Sequence, residues 1–208
     1  MKLPIRGGAG MCARAVAAVG PQWRLPPRLA AYALVVRCQP RRQRATVYTL
    51  RCTRRLLRRL PFEPTESPPR PTTLLGDWYA NVLFLGRSQL VLCTNERSLL
   101  SVIVPLKDAA RLPIRLREAA ASLLRSLGHP ARAVTKEAKG MSELAIGRAV
   151  NRSVLGSMND IARECRWYAS QHGALDLTEL ELELTEMPML SMEPSFSPQQ
   201  AARLLGGT

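Results

Sequence analysis

The sequence predicts an α+β fold in which an antiparallel sheet of about four to five strands packs against several helices, preceded by a disordered N-terminal extension. Three observations predict it. Trp78 to Leu85, Gln89 to Thr94 and Leu99 to Val104 are apolar runs separated by Gly86-Arg87-Ser88 and Asn95-Glu96-Arg97-Ser98, which is the pattern of a three-stranded meander over 78–104. After Pro105 the apolar period lengthens to that of a helix. Residues 1–45 mix Gly, Pro, Ala and Arg and keep neither period.

Order is expected to begin at Thr46, so that 46–208 forms a single domain and 1–45 is either a disordered extension or the product of a start placed upstream of the true one. Arginine without acid in that segment also suits a targeting presequence, although Arg14 interrupts the apolar core that a signal peptide needs. TVYTLRCT has strand composition, with Val47, Thr49 and Arg51 on one face and Tyr48, Leu50 and Cys52 on the other. RRLLRRL then reads as a short helix capped by Thr53, burying Leu56, Leu57 and Leu60 and stopped by Pro61. The five prolines of residues 61–73 impose an extended linker or surface loop.

The meander follows, and its nearly unbroken apolar runs imply that both faces of the sheet are covered. Leu112, Leu116, Ala119, Ala120, Leu123, Leu124 and Leu127 line one side of a helix that starts at Pro113 and ends at Gly128. A shorter helix runs from His129-Pro130 to about Lys139, and Ser142 to Ala149 reads as a short strand beside the meander. Ser153 is the expected cap of a helix from Val154 to about Ser170. LDLTELELELTEM fits helical and strand periods alike; its length and Leu/Glu composition favour helix, closed by Pro188. Ser197-Pro198 opens a last helix ending at Gly206.

The net charge of +14 suggests a polyanionic partner, but its distribution narrows the inference. Residues 1–48 carry nine cations and no acid, residues 49–208 carry 21 cations against 16 acids, and residues 174–208 hold six acids and one Arg. A modestly basic face remains in the middle of the chain. Five cysteines, odd in number and widely spaced, imply neither a disulfide framework nor a zinc site and point to a reducing, cytoplasmic setting. The longest apolar run, Leu29 to Val36, falls well short of the roughly 20 residues that a membrane span requires, so no membrane partner is expected.

Two polar blocks carry what chemistry the sequence offers. GDWYAN, Gly76 to Asn81, enters the meander, and NRSVLGSMND, Asn151 to Asp160, enters the longest helix. A helix start with free N–H groups and small polar side chains favours an anion such as a phosphate. The alternative is that Asn151 and Ser153 cap the helix while Gly156 packs against the sheet. Trp78, Tyr79, Trp167 and Tyr168 are either stacking surfaces for bases or core. The candidate binding set is Asp77, Trp78, Asn81 and Arg97 with Asn151, Arg152, Ser153, Gly156, Ser157, Asn159 and Asp160. A simple cap does not require Arg152, Asn159 or Asp160.

Both blocks, the TLRCTRRLLRRL opening, the VLCTNERSLL hairpin and the TEMP turn near residue 188 resemble, in order, a bacterial family known only as a domain of unknown function, number 6933. The resemblance runs from about Thr49 to Leu205 and implies a cytoplasmic bacterial protein whose domain starts near Val47. It implies no catalytic residue and no cofactor.

The chain has no Walker loop, GxGxxG or HExxH, and neither His129 nor His172 has a nucleophile or acid at a diagnostic spacing. Three functions stay open: a binding module using the 151–160 helix start and nearby arginines on nucleic acid or another anion, a metal-dependent hydrolase built on Asp77 and Asp160, and a protein-interaction partner, such as one half of a two-gene operon, whose acidic segment meets a basic surface. No resident metal is assigned.

Overall fold

Alternation in VYTLRC sends Tyr48, Leu50 and Cys52 into one apolar layer and Thr49 and Arg51 to the opposite face, and this strand is the one on which the sheet turns. The computed structural model describes residues 47–172, 176–189 and 195–206, all within the unit Ala45–Thr208. The extension expected over 1–45 lies outside the described residues.

In chain order the elements are β1 (Val47–Cys52), α1 (Arg54–Leu57), β2 (Trp78–Leu85), β3 (Ser88–Asn95), β4 (Ser101–Pro105), α2 (Leu112–Ser126), α3 (Ala131–Gly140), β5 (Glu143–Arg148), α4 (Arg152–Gln171), α5 (Leu177–Glu186) and α6 (Ser197–Leu205). The five strands form one sheet in the order β4-β3-β2-β1-β5. The fold is α+β as expected, but the sheet is mixed. β2, β3 and β4 make the antiparallel meander, whereas β1 pairs in parallel with β2 and with β5, so that β3 alone runs against the other four. The strand expected beside the meander, β5, is instead separated from it by β1. A parallel neighbour needs a crossover, and α2 with α3 supply one from one sheet edge to the other.

Two apolar layers follow from the alternation. One face of the sheet meets α1, α2, α3 and α6 through Leu50, Trp78, Val91 and Val102 against Leu56, Leu116, Leu124 and Ala201. The other meets α4 and α5 through Tyr79, Leu83, Leu92 and Ile103 against Met158, Ile161, Cys165 and Leu184. The expectation that both faces are covered therefore holds. Cys52, Cys93 and Cys165 are free and buried, and burial pushes the Cys52 and Cys165 thiols up to about 12, as suits apolar packing rather than reactivity.

The proline-rich loop is strapped to the sheet rather than free of it: Thr65 N–H donates to Ile146 O at 2.8 Å and Thr72 N–H to Val47 O at 2.9 Å. The segment 177–186 is helical, with Asp176 accepting from Thr178 N–H and Glu179 N–H. No helix among the described residues is long and apolar enough to cross a membrane.

The free edge of β4 is closed by a side chain. Glu181 on α5 accepts from Ile103 N–H at 2.6 Å, and burial raises its carboxyl to about 7. Because the folded pKa exceeds the unfolded one of about 4.3, the folded state holds the proton more tightly. The stabilisation is complete below about pH 4 and is lost as pH rises through 7. Burial also raises Glu137, which adds a loss of the same sign. Stability should therefore fall by up to about 3 kcal/mol between pH 5 and pH 8. Glu181→Gln, which keeps the acceptor, should flatten most of that slope in urea titrations. An unchanged slope in the variant would refute the assignment.

Candidate functional site

The GDWYAN block is placed by a set of buried bonds centred on Asp77, which is only 2% exposed. Its Oδ1 accepts from Thr49 N–H at 2.9 Å, and its Oδ2 accepts from Arg51 Nη2 at 2.9 Å and Nε at 3.1 Å. The Asp77 carbonyl takes Glu96 N–H at 3.0 Å and Asn95 Nδ2 at 3.1 Å. Asn95 Oδ1 in turn receives Arg97 N–H, Ser98 N–H and the Ser98 hydroxyl, which builds the β3–β4 turn. Arg97 donates to Leu74 O and lies against Gly76, whose φ of +83° and close guanidinium neighbour both exclude a side chain. Glu137 accepts from Leu74 N–H and Leu75 N–H. The Asp77 carboxylate and carbonyl are thus engaged within the fold, and Trp78 is fully buried.

The second block separates in the same way. The helix cap is Asn151, not Ser153, and α4 starts at Arg152, two residues earlier than expected. Asn151 Oδ1 accepts from Ser153 N–H at 3.0 Å and Val154 N–H at 3.4 Å, so the helix N-terminus spends two of its free donors on its own cap. Its Nδ2 reaches Glu96 Oε1 at 3.4 Å, and its backbone hydrogen-bonds the Tyr79 phenol, whose pKa is raised by burial and by Glu96. Asn151 thus ties the two blocks together. Asn81 Oδ1 accepts the Thr53 hydroxyl at 2.8 Å, which is why Thr53 does not cap α1.

The rest of NRSVLGSMND turns outward. Arg152, Ser153, Gly156, Asn159 and Asp160 are exposed and Ser157 is half-buried. Asp160 pairs with Arg163 at 2.9 Å on the outer surface of α4. Asp77 and Asp160 therefore form no metal pair: one is buried and saturated by Thr49 and Arg51, the other faces solvent with a cation of its own. Among the described residues no cluster of three or more His, Cys, Asp or Glu could hold a metal ion. Gly156 does not pack against the sheet, since a Cβ there meets open space.

A different group of residues converges. β1 and β5 lie side by side in parallel, and Ala149 N–H donates to Cys52 O at 3.0 Å where they end. From those ends α1 leaves toward the layer containing Leu56 and α4 toward the layer containing Val154, so the two connections depart to opposite faces. Between them lies a crevice of about 490 Å³ walled by Arg54, Leu57, Arg58, Pro64, Arg148 and Val150. Arg54, Arg58 and Arg148 are exposed, and none has an ion pair or side-chain hydrogen bond among the described residues. No acid lines it. The other two arginines of the RRLLRR run are occupied, with Arg55 and Arg59 lying 4.7 and 5.5 Å over the Phe84 ring and Arg59 also donating to Gln89.

The candidate set named from the sequence left out Arg54, Arg58 and Arg148, which the crevice brings together. The available signal was the arginine run that follows β1. A larger depression of about 640 Å³ on α3, beside Arg132, Lys136 and Lys139, is the open surface of one helix and brings no other element to it.

A family model described as Domain of unknown function (DUF6933) matches residues 49–201. No curated protein and no solved structure matches the chain.

Two stability measurements test the division between fold and surface. Asp77→Ala should cost about 2–4 kcal/mol in chemical denaturation, because it leaves the buried Thr49 N–H and the half-buried Arg51 guanidinium without their partner. A loss below about 1 kcal/mol would show the network to be dispensable. Gly156→Ala should stabilise by about 0.5–1 kcal/mol, since the new methyl meets nothing and the helix gains propensity. Destabilisation there would mean that the position needs glycine for another reason.

Proposed function

The chain belongs to the DUF6933 family, whose description carries no activity, and we propose from its geometry that it is a binding module seating a phosphate-bearing ligand, a nucleotide or a nucleic-acid backbone, in the crevice where β1 and β5 end. The observation that carries this reading is three guanidinium groups without partners, and no acid, among the described residues on the walls of a parallel-strand switch point. In open sheets, ligands bind outside the carboxyl ends of parallel strands where neighbouring connections leave to opposite faces. The volume lies in the usual small-ligand range of roughly 300–1,000 Å³.

Guanidinium is suited to phosphate because its planar fork donates two parallel hydrogen bonds to two oxygens. The α4 dipole adds positive potential even though its cap has taken the best N–H donors. Leu57, Pro64 and Val150, the last 67% exposed, offer apolar surface to sugar or base carbons. No aromatic ring lines the crevice, so base stacking is not part of the reading. Arg152, from the expected set, stands at the first turn of α4 beside Val150 and extends the basic margin.

Fluorescence anisotropy with a short labelled single-stranded RNA, competed with adenosine monophosphate, tests the proposal. Binding is expected to weaken steeply between about 50 and 200 mM salt. Arg148→Ala and Arg54→Ala should each lose about ten-fold, and their exposed positions should leave folding intact. Competition by the mononucleotide would identify a small ligand, and its failure a polynucleotide. Absence of binding at low salt, or variants that bind as the parent does, would overturn it.

A further inference from the structure

The layer opposite the basic helices carries the reverse charge. α5 bears Glu179, Glu181, Glu183 and Glu186 and no cation. Between α5 and α4 lies a groove of about 260 Å³ whose floor is Tyr168, Leu180, Leu184 and Met187. Glu164, Glu183 and Glu186 stand around it, and no basic side chain lines it. None of the three glutamates takes part in an ion pair among the described residues. Trp167 forms one wall and is 58% exposed. A tryptophan left in water beside an apolar groove is an unfilled contact surface.

We propose that this groove docks a basic segment of a partner protein, with an Arg or Lys side chain lying over the Trp167 ring between the glutamates and an adjacent apolar side chain entering the floor. Charge complementarity selects that occupant. A cation is drawn to the ring face and to the three carboxylates together, and its aliphatic stem can cover the apolar floor. An anionic membrane would be repelled by the same carboxylates. A second copy offering its own basic helices would form a head-to-tail contact that has no reason to close, and would run on into filaments. The groove lies in the layer of α4 and α5, away from the arginines of the crevice, so the two proposals stand independently.

The test pans a phage-displayed random peptide library on the full-length chain and measures the selected peptides by anisotropy. Expected sequences place Arg or Lys beside Leu, Ile or Met. Their affinity should fall at least about ten-fold in Trp167→Ala and in Glu183→Lys, while Arg148→Ala leaves it unchanged. Both groove variants alter exposed positions, and circular dichroism confirms that they fold. No enrichment, enrichment of acidic or neutral peptides, or equal binding by both variants would overturn the proposal. So would concentration-dependent self-association abolished by Trp167→Ala, which assigns the groove to a second copy, or binding to phosphatidylserine vesicles abolished by the same change, which assigns it to a membrane.

Discussion

The Asp77 carboxylate is the constraint on which the sheet depends. β1 and β2 are registered through only three residue pairs, Leu50 to Cys52 against Trp78 to Ala80. Below them β2 has not begun, and Thr49 N–H would face no acceptor. Asp77 supplies one from its side chain, just before the strand starts, and Arg51 two residues along the same face balances its charge. A buried carboxylate without those partners would be strongly unfavourable, so the three groups hold each other in place. Through its carbonyl the same residue also fastens the β3–β4 turn. With β1 fixed against the meander, its other edge templates β5, and the ends of β1 and β5 define the crevice. The crevice thus rests on a polar contact several residues away that lines no part of it.

Local signals in the sequence were sufficient for local structure. The meander, the helix from Leu112, the αL residue at Gly128 with φ of +77° and the Gly206 cap all follow from periods and turn residues a few positions apart. Parallel pairing was not legible, because Val47 meets Glu143 across most of the domain and strand composition does not encode direction. The antiparallel expectation failed there for that reason. The crevice was hidden by the same gap: it exists only once β1 and β5 are neighbours, whereas small polar residues at a helix start are visible in one window. Asn151 shows the ambiguity well: an asparagine that caps and an asparagine that binds read identically until its Oδ1 is seen accepting from Ser153 and Val154.

Charge is separated across the sheet. The segments on the Trp78 face present Arg54, Arg58, Arg125, Arg132 and Lys136 outward, while those on the Tyr79 face include α5, whose charged residues are all acidic. A whole-chain net charge of +14 conceals this, since opposite faces see opposite potentials. The contrast is strongest between α3, with Arg132, Lys136 and Lys139, and α5, with four glutamates and no cation.

The arginine run after β1 shows how helix geometry sorts such a charge cluster. Arg54 and Arg58 go together on the crevice, as do Arg55 and Arg59 on Phe84. The second pair covers Phe84 and bonds Gln89, exchanging hydration for aromatic and amide contacts within the fold. The first pair has no such contact and faces the strand ends. No single role describes all four. Leu56, fully buried between them, sets the rotation of the helix and therefore decides which pair faces the crevice. Which pair lines the crevice is in this sense fixed by an apolar side chain: turning α1 by one residue would present Arg55 and Arg59 to the crevice and leave Phe84 without its cations.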